Sequence, residues 1–558
     1  MVNRKLESIL KLAIGLVSIV LLNSLAGDYF FRLDLTEEKR YTVNEATAET
    51  LKNLEDVVYV EVYLSGDLNA EFKRFSRSIR ETLEEFRVYG GNRVQYSFID
   101  PLQAESSAAR EEYMNELISL GIIPTDLFDS ENGQQISKRI FPGAKISYQG
   151  LEVGINLLKG NKGSTAIEQL NQSMEGVEYE LVSVIRKLTE VERGRIAWLT
   201  DHQELDSIDV QDFINSLLTS YDVFKVRLDE RQDLKGYDLV FISKPKQAFS
   251  PSDKYKLDQF ILNGGKAIFL LDMMNVDMDS VSGEGTLAIP IDLNLQDLLF
   301  KYGVRINNDL VQDLNSGAYP IVVGNTGNQP QIRPLPWPYF IMVNNYGAHP
   351  STRNLDATYL KFASTIDSVK AAGILKTPLL FSSIYSRVLQ APVSVGLNQL
   401  REIQEENFLN QQSRPLGYLL EGKFNSVFKN RILPKGVDKE NFLEAGVESK
   451  IVVITDGDIV RNEVNYRTRE PFNLGFDPVS GANFANGDFM LNLVEYLMNE
   501  DGIINARNKE IRVRPLDKIK IQENKINLQV LNLVLPLILI ILFGLVKQWI
   551  RKRNYTRN

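Results

Sequence analysis

Asp201-His202-Gln203-Glu204 closes the stretch "RIAWLTDHQELD", Arg195 to Asp206, directly after a run of strand-forming residues. Two carboxylates beside an imidazole can hold a cation, seat a small polar ligand or serve as acid and base when their environments split their pKa values. Three more apolar runs end in polar groups. Lys244 follows "DLVFIS", Asp272 closes "KAIFLLD", and Asp456 and Asp458 close "SKIVVITDGD". In open parallel sheets ligands gather beyond the carboxyl ends of the strands. Asp201, His202, Glu204, Asp272, Asp456 and Asp458 therefore form a candidate ligand-binding edge. The competing reading is that strand ends carry Asp as turn and cap residues.

The rest of the composition narrows the chemistry. The chain has no cysteine, which excludes disulfides, thiolate zinc sites, iron–sulfur clusters and a Cys nucleophile. Its two histidines, His202 and His349, are too few for a His-rich metal centre and leave only two candidate bases for a Ser-His-Asp triad. His349, in "GAHPS", reads as a loop histidine. No G-x-S-x-G elbow, Walker pattern or G-x-G-x-x-G fingerprint occurs; "LKGNKGST", Leu158 to Thr165, comes nearest to a Walker loop but has Asn161 where Lys is required. Catalysis is carboxylate-led or absent, and we expect a non-enzyme with no cofactor and no metal. With 63 Lys+Arg against 72 Asp+Glu, the net charge of −9 provides no chain-wide basic footprint for nucleic acid.

The positioning elements follow from periodicity. "RIAWLT", "DVFKVRL", "DLVFIS", "KAIFLLD" and "SKIVVITDGD" are near-continuous apolar strands separated by helical patterns at 210–220 and 252–262, with "GDFMLNLVEYLMN" as a further helix. Such alternation predicts a doubly wound parallel sheet covered on both faces, over 191–510, with an insertion at about 275–442. Inside the insertion, the prolines of "QPQIRPLPWPYFIMVNNYGAHP" are expected to break regular structure, while its aromatics either form an exposed contact surface or pack against their own domain. Upstream, over 32–190, a helix capped by Thr42 or Asn44 precedes the strand "VVYVEVYLS". An amphipathic helix carrying Phe72, Phe75, Ile79, Leu83 and Phe86, closed by Gly90 and Gly91, leads to the strand "RVQYSFIDP". This is a βαβ unit, completed by a hairpin around Gln149 and Gly150 and covered by a helix from Glu175 to Leu188. The pattern looks thioredoxin-like, but without cysteines it is read as a binding or spacer domain.

Two apolar segments frame the chain. Residues 9–31 carry an uncharged stretch from Leu12 to Gly27 behind a tail, 1–8, that contains Arg4 and Lys5; residues 526–550 carry one from Leu528 to Val546, ahead of a basic tail at 551–558. Each is read as a transmembrane helix, and the positive flanks place both ends in the cytoplasm with the bulk of the chain on the other side of the membrane. "NSLAGD" also offers a signal-peptide cleavage site after Ala26.

Taken together, "RLDLTEEKRYTVNEAT" (with Arg32, Asp34, Leu35, Thr36, Arg40 and Tyr41) after the first segment, "FIDP", "PWPYF" and "NGDFMLNLVEYL" before the last resemble the gliding-motility ABC-transporter auxiliary family, GldG. The resemblance covers nearly the whole chain. It implies an extracytoplasmic, substrate-binding-like subunit of gliding Bacteroidetes, set in the bacterial inner membrane with its bulk in the periplasm and partnered by a permease, a separate ATPase, membrane lipid and other envelope motility proteins. It also implies a class I glutamine-amidotransferase-like large domain whose Cys nucleophile is missing here. Where that family has Gly-His-Gly-Glu, His202 and Glu204 match and Asp201 and Gln203 depart, which removes backbone freedom at the turn. The alternatives are an exported carboxylate-dependent hydrolase using Asp201, Glu204, Asp456 and Asp458, or a structural periplasmic spacer in a motility or secretion machine.

Overall fold

The computed structural model describes residues 12–18, residues 42–508 apart from short breaks (104–105, 132–133, 160–164, 191, 282–284, 327–328, 403–404, 410–411, 466, 500–501), and residues 525–555. The motif residues Arg32, Asp34, Leu35, Thr36, Arg40 and Tyr41, most of the segment 9–31 and the Walker-like loop lie outside them; 12–18 is helical.

The first sheet has the order β2-β1-β3-β4, with β1 (Val58–Val62) parallel to β2 (Val94–Phe98) and antiparallel to β3 (Gly143–Tyr148), which pairs with β4 (Leu151–Asn156). Gln149 and Gly150 both take positive φ, 48° and 83°, as a two-residue hairpin turn requires. The helix α1 (Glu45–Lys52) is capped by Asn44, whose side chain accepts from Ala46 N at 3.0 Å. The crossover helix α2 (Ala70–Gly90) buries Phe72, Phe75, Ile79, Leu83 and Phe86, one face at helical spacing, and ends at Gly91 with φ 60°. The covering helix α3 (Ala166–Thr189) begins earlier than the apolar pattern suggested because Thr165 and Glu168 form a capping box. Within this region its Glu178 Oε1 accepts from Asn44 N at 2.6 Å, and its Tyr179 hydroxyl ties the region to the next by donating to Glu495.

Beyond it lies an eight-stranded sheet. Five strands are parallel: β5 (Arg195–Leu199), β6 (Asp222–Val226), β7 (Leu239–Ser243), β8 (Lys266–Leu270) and β12 (Ala445–Ile454), stacked as β6-β5-β7-β8-β12. In chain order this is 2-1-3-4-5, a doubly wound arrangement whose direction of winding reverses between β5 and β7. The strands are buried on both sides. Ala197, Val240 and Phe269 pack with helix α5 (Pro251–Leu262), while Trp198, Phe241 and Ile268 pack with α4 (Gln211–Leu218) and α6 (Asn486–Met498).

The sheet is not wholly parallel, which corrects the sequence expectation. The insertion adds β9 (Asn345–Tyr346), β10 (Ile374–Phe381) and β11 (Pro415–Asn425), the last antiparallel to β12 from Gly417↔Ile454 onward. A strand's partner is chosen by long-range hydrogen bonding that its own periodicity does not encode. The prolines of the insertion do not break structure either, since they lie within the strand Gln329–Val343, paired with Ser316–Thr326. Pro330, Pro334 and Pro336 occupy alternate positions, so their missing N–H groups fall on one edge; Pro334 faces Pro320, a pairing in which neither can donate. Pairing of that strand on its other side, with Thr358–Lys361, starts only at Phe340, past the last proline. Trp337, Tyr339 and Phe340 are buried in their own cluster, so the packing alternative holds for these aromatics.

Residues 510–558 form a separate compact unit. Its helix α7 (Lys525–Tyr555) contains Asn532–Ile550, 19 residues of mean hydropathy 2.3, long and apolar enough to cross a membrane; among the described residues it is the one helix of that kind.

Candidate functional site

The winding reversal sets where a site can form, because the connections from β5 and β7 leave on opposite faces and open a crevice beyond their carboxyl ends. Both strand ends turn sharply there. Gln203 (φ 57°) and Lys244 (φ 53°) take the left-handed conformation that non-glycine residues seldom adopt. Gln203 thus holds its turn at the expense of local strain.

The six sequence-predicted residues separate into two clusters. In the first, His202 Nδ1 lies 3.0 Å from Asp201 Oδ1 and 3.5 Å from Glu204 Oε1, and Nε2 lies 3.7 Å from Asp253 Oδ2. The ring stacks on Phe249, centroids 3.7 Å apart. Each carboxylate is anchored through its other oxygen. Asp201 Oδ2 accepts from Leu228 N (2.7 Å) and Asp229 N (3.1 Å), and Glu204 Oε2 accepts from His202 N (2.7 Å). Burial works against a charged imidazole, but Asp201, Asp253 and Glu204 outweigh it and push the His202 pKa up to about 11. Asp253 is opposed by burial too, yet His202, Ser250 and Lys256 hold it well below the usual carboxylate range. Asp201, His202 and Glu204 each offer one ligand atom, all within 4.8 Å of one another.

In the second cluster Lys244 Nζ lies 2.9 Å from Asp272 Oδ2 and also donates to Asp458. Backbone donors take up further oxygens: Gly457 N to Asp272 Oδ1 (2.6 Å), Asp458 N to Asp456 Oδ1 (2.7 Å) and Lys361 N to Asp456 Oδ2 (2.8 Å). Asp272 and Asp456 are buried, and the Asp458 side chain is 8% exposed. Burial and the like charges of Asp458 and Asp272 raise the Asp456 pKa; burial raises that of Asp272 against the pull of Lys244. Asp458 is lowered, since Lys244 and Lys361 outweigh its burial. Arg461 stands 3.6 Å from both Asp458 and Asp209. Gly457 is required for space, because a Cβ there would lie 2.5 Å from Lys244 Cβ.

Sequence reasoning missed Asp253, Phe249 and Arg461. "FSPSD" shows a helix start, with Ser250 accepting from Asp253 N at 3.1 Å, but nothing in it tells that Asp253 faces His202. His349 is a turn residue, as read, and a buried one: Nδ1 accepts from Ser351 N at 3.2 Å, and burial, aided by Lys450, pushes its pKa down to about 4.

A family model described as "ABC-type uncharacterized transport system" matches residues 193–493, more than half of the 558 residues. A domain of unknown function matches residues 37–147. A relative from Borreliella burgdorferi, titled "Uncharacterized protein", is 23% identical over 567 residues, covering 99% of each chain. Among solved structures, the chain resembles "mmIFT52 N-terminal domain" at 13% identity and a TM-score of 0.30, covering 55% of this chain and 99% of that one.

Proposed function

The chain belongs to the ABC-type uncharacterized transport system auxiliary family, and from that premise we propose that it is a non-catalytic, membrane-anchored subunit working beside a separate permease and ATPase. The observation that carries the reading is the family match over the large α/β domain. Helix Asn532–Ile550, followed by Arg551, Lys552 and Arg553, supports anchoring with the carboxyl end in the cytoplasm and the bulk of the chain outside. The link to gliding motility rests on the sequence resemblance alone.

The hydrolase alternative needs a carboxylate pair free to act as acid and base. Asp456 and Asp458 are instead engaged by backbone N–H groups and Lys244, in a cluster apart from Asp201 and Glu204, which favours the non-catalytic reading. The spacer alternative drew on exposed aromatics, and the burial of Trp337, Tyr339 and Phe340 removes that support.

Gentle detergent purification of the tagged protein from its native membrane, followed by mass spectrometry, tests the proposal. A permease and an ATPase recovered in fixed ratio is the expected result; recovery of neither, with the membrane partners intact, overturns it.

A further inference from the structure

Asp201, His202 and Glu204 leave one atom each without a hydrogen-bond partner: Asp201 Oδ1, His202 Nδ1 and Glu204 Oε1 are all buried and unsatisfied. The side chains are 2%, 6% and 1% exposed, so solvent does not satisfy them. Three orphaned polar atoms converging at one point are expensive unless something sits between them. Although Asp201 Oδ1 is only 3.0 Å from Nδ1, neither it nor Glu204 Oε1 lies along the ring N–H direction, so neither acts as a hydrogen-bond acceptor of that nitrogen.

Off-axis oxygens at this distance are what neighbouring ligands of one ion look like. Donors bound at ~2.0–2.2 Å to a common cation stand ~3.0 Å apart in octahedral and ~3.4 Å apart in tetrahedral geometry; the two carboxylate oxygens stand 3.0 and 3.5 Å from Nδ1, and the three ligand atoms all lie within 4.8 Å of one another. The support around the ligands has the same character. Backbone N–H groups of Leu228, Asp229 and His202 fix the far oxygens of both carboxylates and aim the near ones inward. Behind the ring, Asp253 Oδ2 faces Nε2 at 3.7 Å, longer than a hydrogen bond, and is itself held by Ser250 Oγ at 2.6 Å and Lys256 Nζ at 3.2 Å, a carboxylate on the side of the imidazole where metal-bound histidines have their outer partner.

We propose that Asp201 Oδ1, His202 Nδ1 and Glu204 Oε1 bind one divalent transition-metal cation in the crevice between β5 and β7. One imidazole with two carboxylates suits Zn²⁺ or Mn²⁺; Ca²⁺, which wants six to eight oxygens, is served poorly. Three protein ligands leave coordination positions open, as in sites that seat a water or ligand rather than close around the metal. The cation site stands independently of transporter association.

The test is titration of the chelator-stripped, full-length protein in detergent with Zn²⁺ and with Mn²⁺, followed by calorimetry and by elemental analysis after desalting. We expect one ion per chain for at least one of the two metals, at least tenfold weaker binding in Asp201→Asn, His202→Gln and Glu204→Gln, and no change in Asp206→Asn, a neighbouring exposed carboxylate. Asp253→Asn, which keeps all three ligands, is expected to weaken binding about tenfold while preserving the stoichiometry. Co²⁺ should give visible d–d bands that disappear in His202→Gln, a readout that does not depend on stability. Absence of stoichiometric binding by either metal, or binding that survives all three ligand variants, overturns the proposal.

Discussion

The carboxyl edge of the large sheet carries two clusters of ionisable groups, and they differ in what neutralises them. Around Asp272, Asp456 and Asp458 the chain supplies its own cation. Lys244 Nζ reaches two carboxylates, backbone N–H groups reach the third, and Arg461 stands at the margin. Around Asp201 and Glu204 the only cationic candidate in contact among the described residues is the imidazole of His202, whose Nδ1 faces both oxygens without hydrogen-bonding to either. Similar residue types at equivalent strand ends thus give a closed structural knot in one place and an open set of donors in the other. The lesson is that an acidic strand end is informative only once its counter-charge is known.

The sharpest way to break this comparison is Lys244→Met. If Lys244 neutralises the second cluster, its removal strands Asp272 and Asp458 as buried charges and destabilises by about 3–5 kcal/mol, read by denaturant unfolding of the full chain in detergent. A loss under ~1 kcal/mol would show that the knot is not what holds this edge. Gly457→Ala drives a methyl into Lys244 and is expected to destabilise by about 1–3 kcal/mol in the same assay.

The two histidines separate the regions by pH. His202, with a folded pKa raised to about 11, contributes stability that is fully present below its unfolded pKa near 6.5 and lost as pH rises toward 11. With chelator present, the wild type should therefore lose on the order of 4 kcal/mol relative to His202→Gln between pH 7 and 10. His349 runs the other way. Its folded pKa of about 4 makes its contribution present above 6.5 and lost as pH falls through 4, so His349→Asn, which keeps an acceptor for Ser351, should flatten the acid limb. Equal slopes in wild type and variant would remove the histidine from either account. The smallest effect belongs to Gln203→Gly, which relieves the left-handed strain at the first cluster and should gain about 0.5 kcal/mol, visible as a modest rise in Tm.

Much of the fold was legible residue by residue. Phe72, Phe75, Ile79, Leu83 and Phe86 mark α2 because a 3.6-residue repeat has one buried face, and Gln149-Gly150 marks a hairpin because the turn demands positive φ at both positions. The strand ends bearing Asp201, Lys244, Asp272, Asp456 and Asp458 were also visible, since a strand buried on both faces is a continuous apolar run. The start of α3 was obscured because its first turns carry little apolar signal, and its boundary is set by the Thr165–Glu168 capping box. In the proline-rich strand, local propensity pointed the wrong way, since a proline is harmless wherever its nitrogen faces an unpaired edge.

By itself, then, the sequence determined the βαβ unit, the five parallel strands with their covering helices, the apolar carboxyl-terminal helix and the absence of any cysteine chemistry, because each of these depends on neighbours within a few turns or on composition. Only the tertiary structure decided that β9, β10 and β11 extend the sheet antiparallel, that Lys244 closes over Asp272 and Asp458, and that Asp253 stands behind His202. Those pairings join residues far apart in the chain, and no local periodicity carries the register or side-chain direction that brings one charge to another.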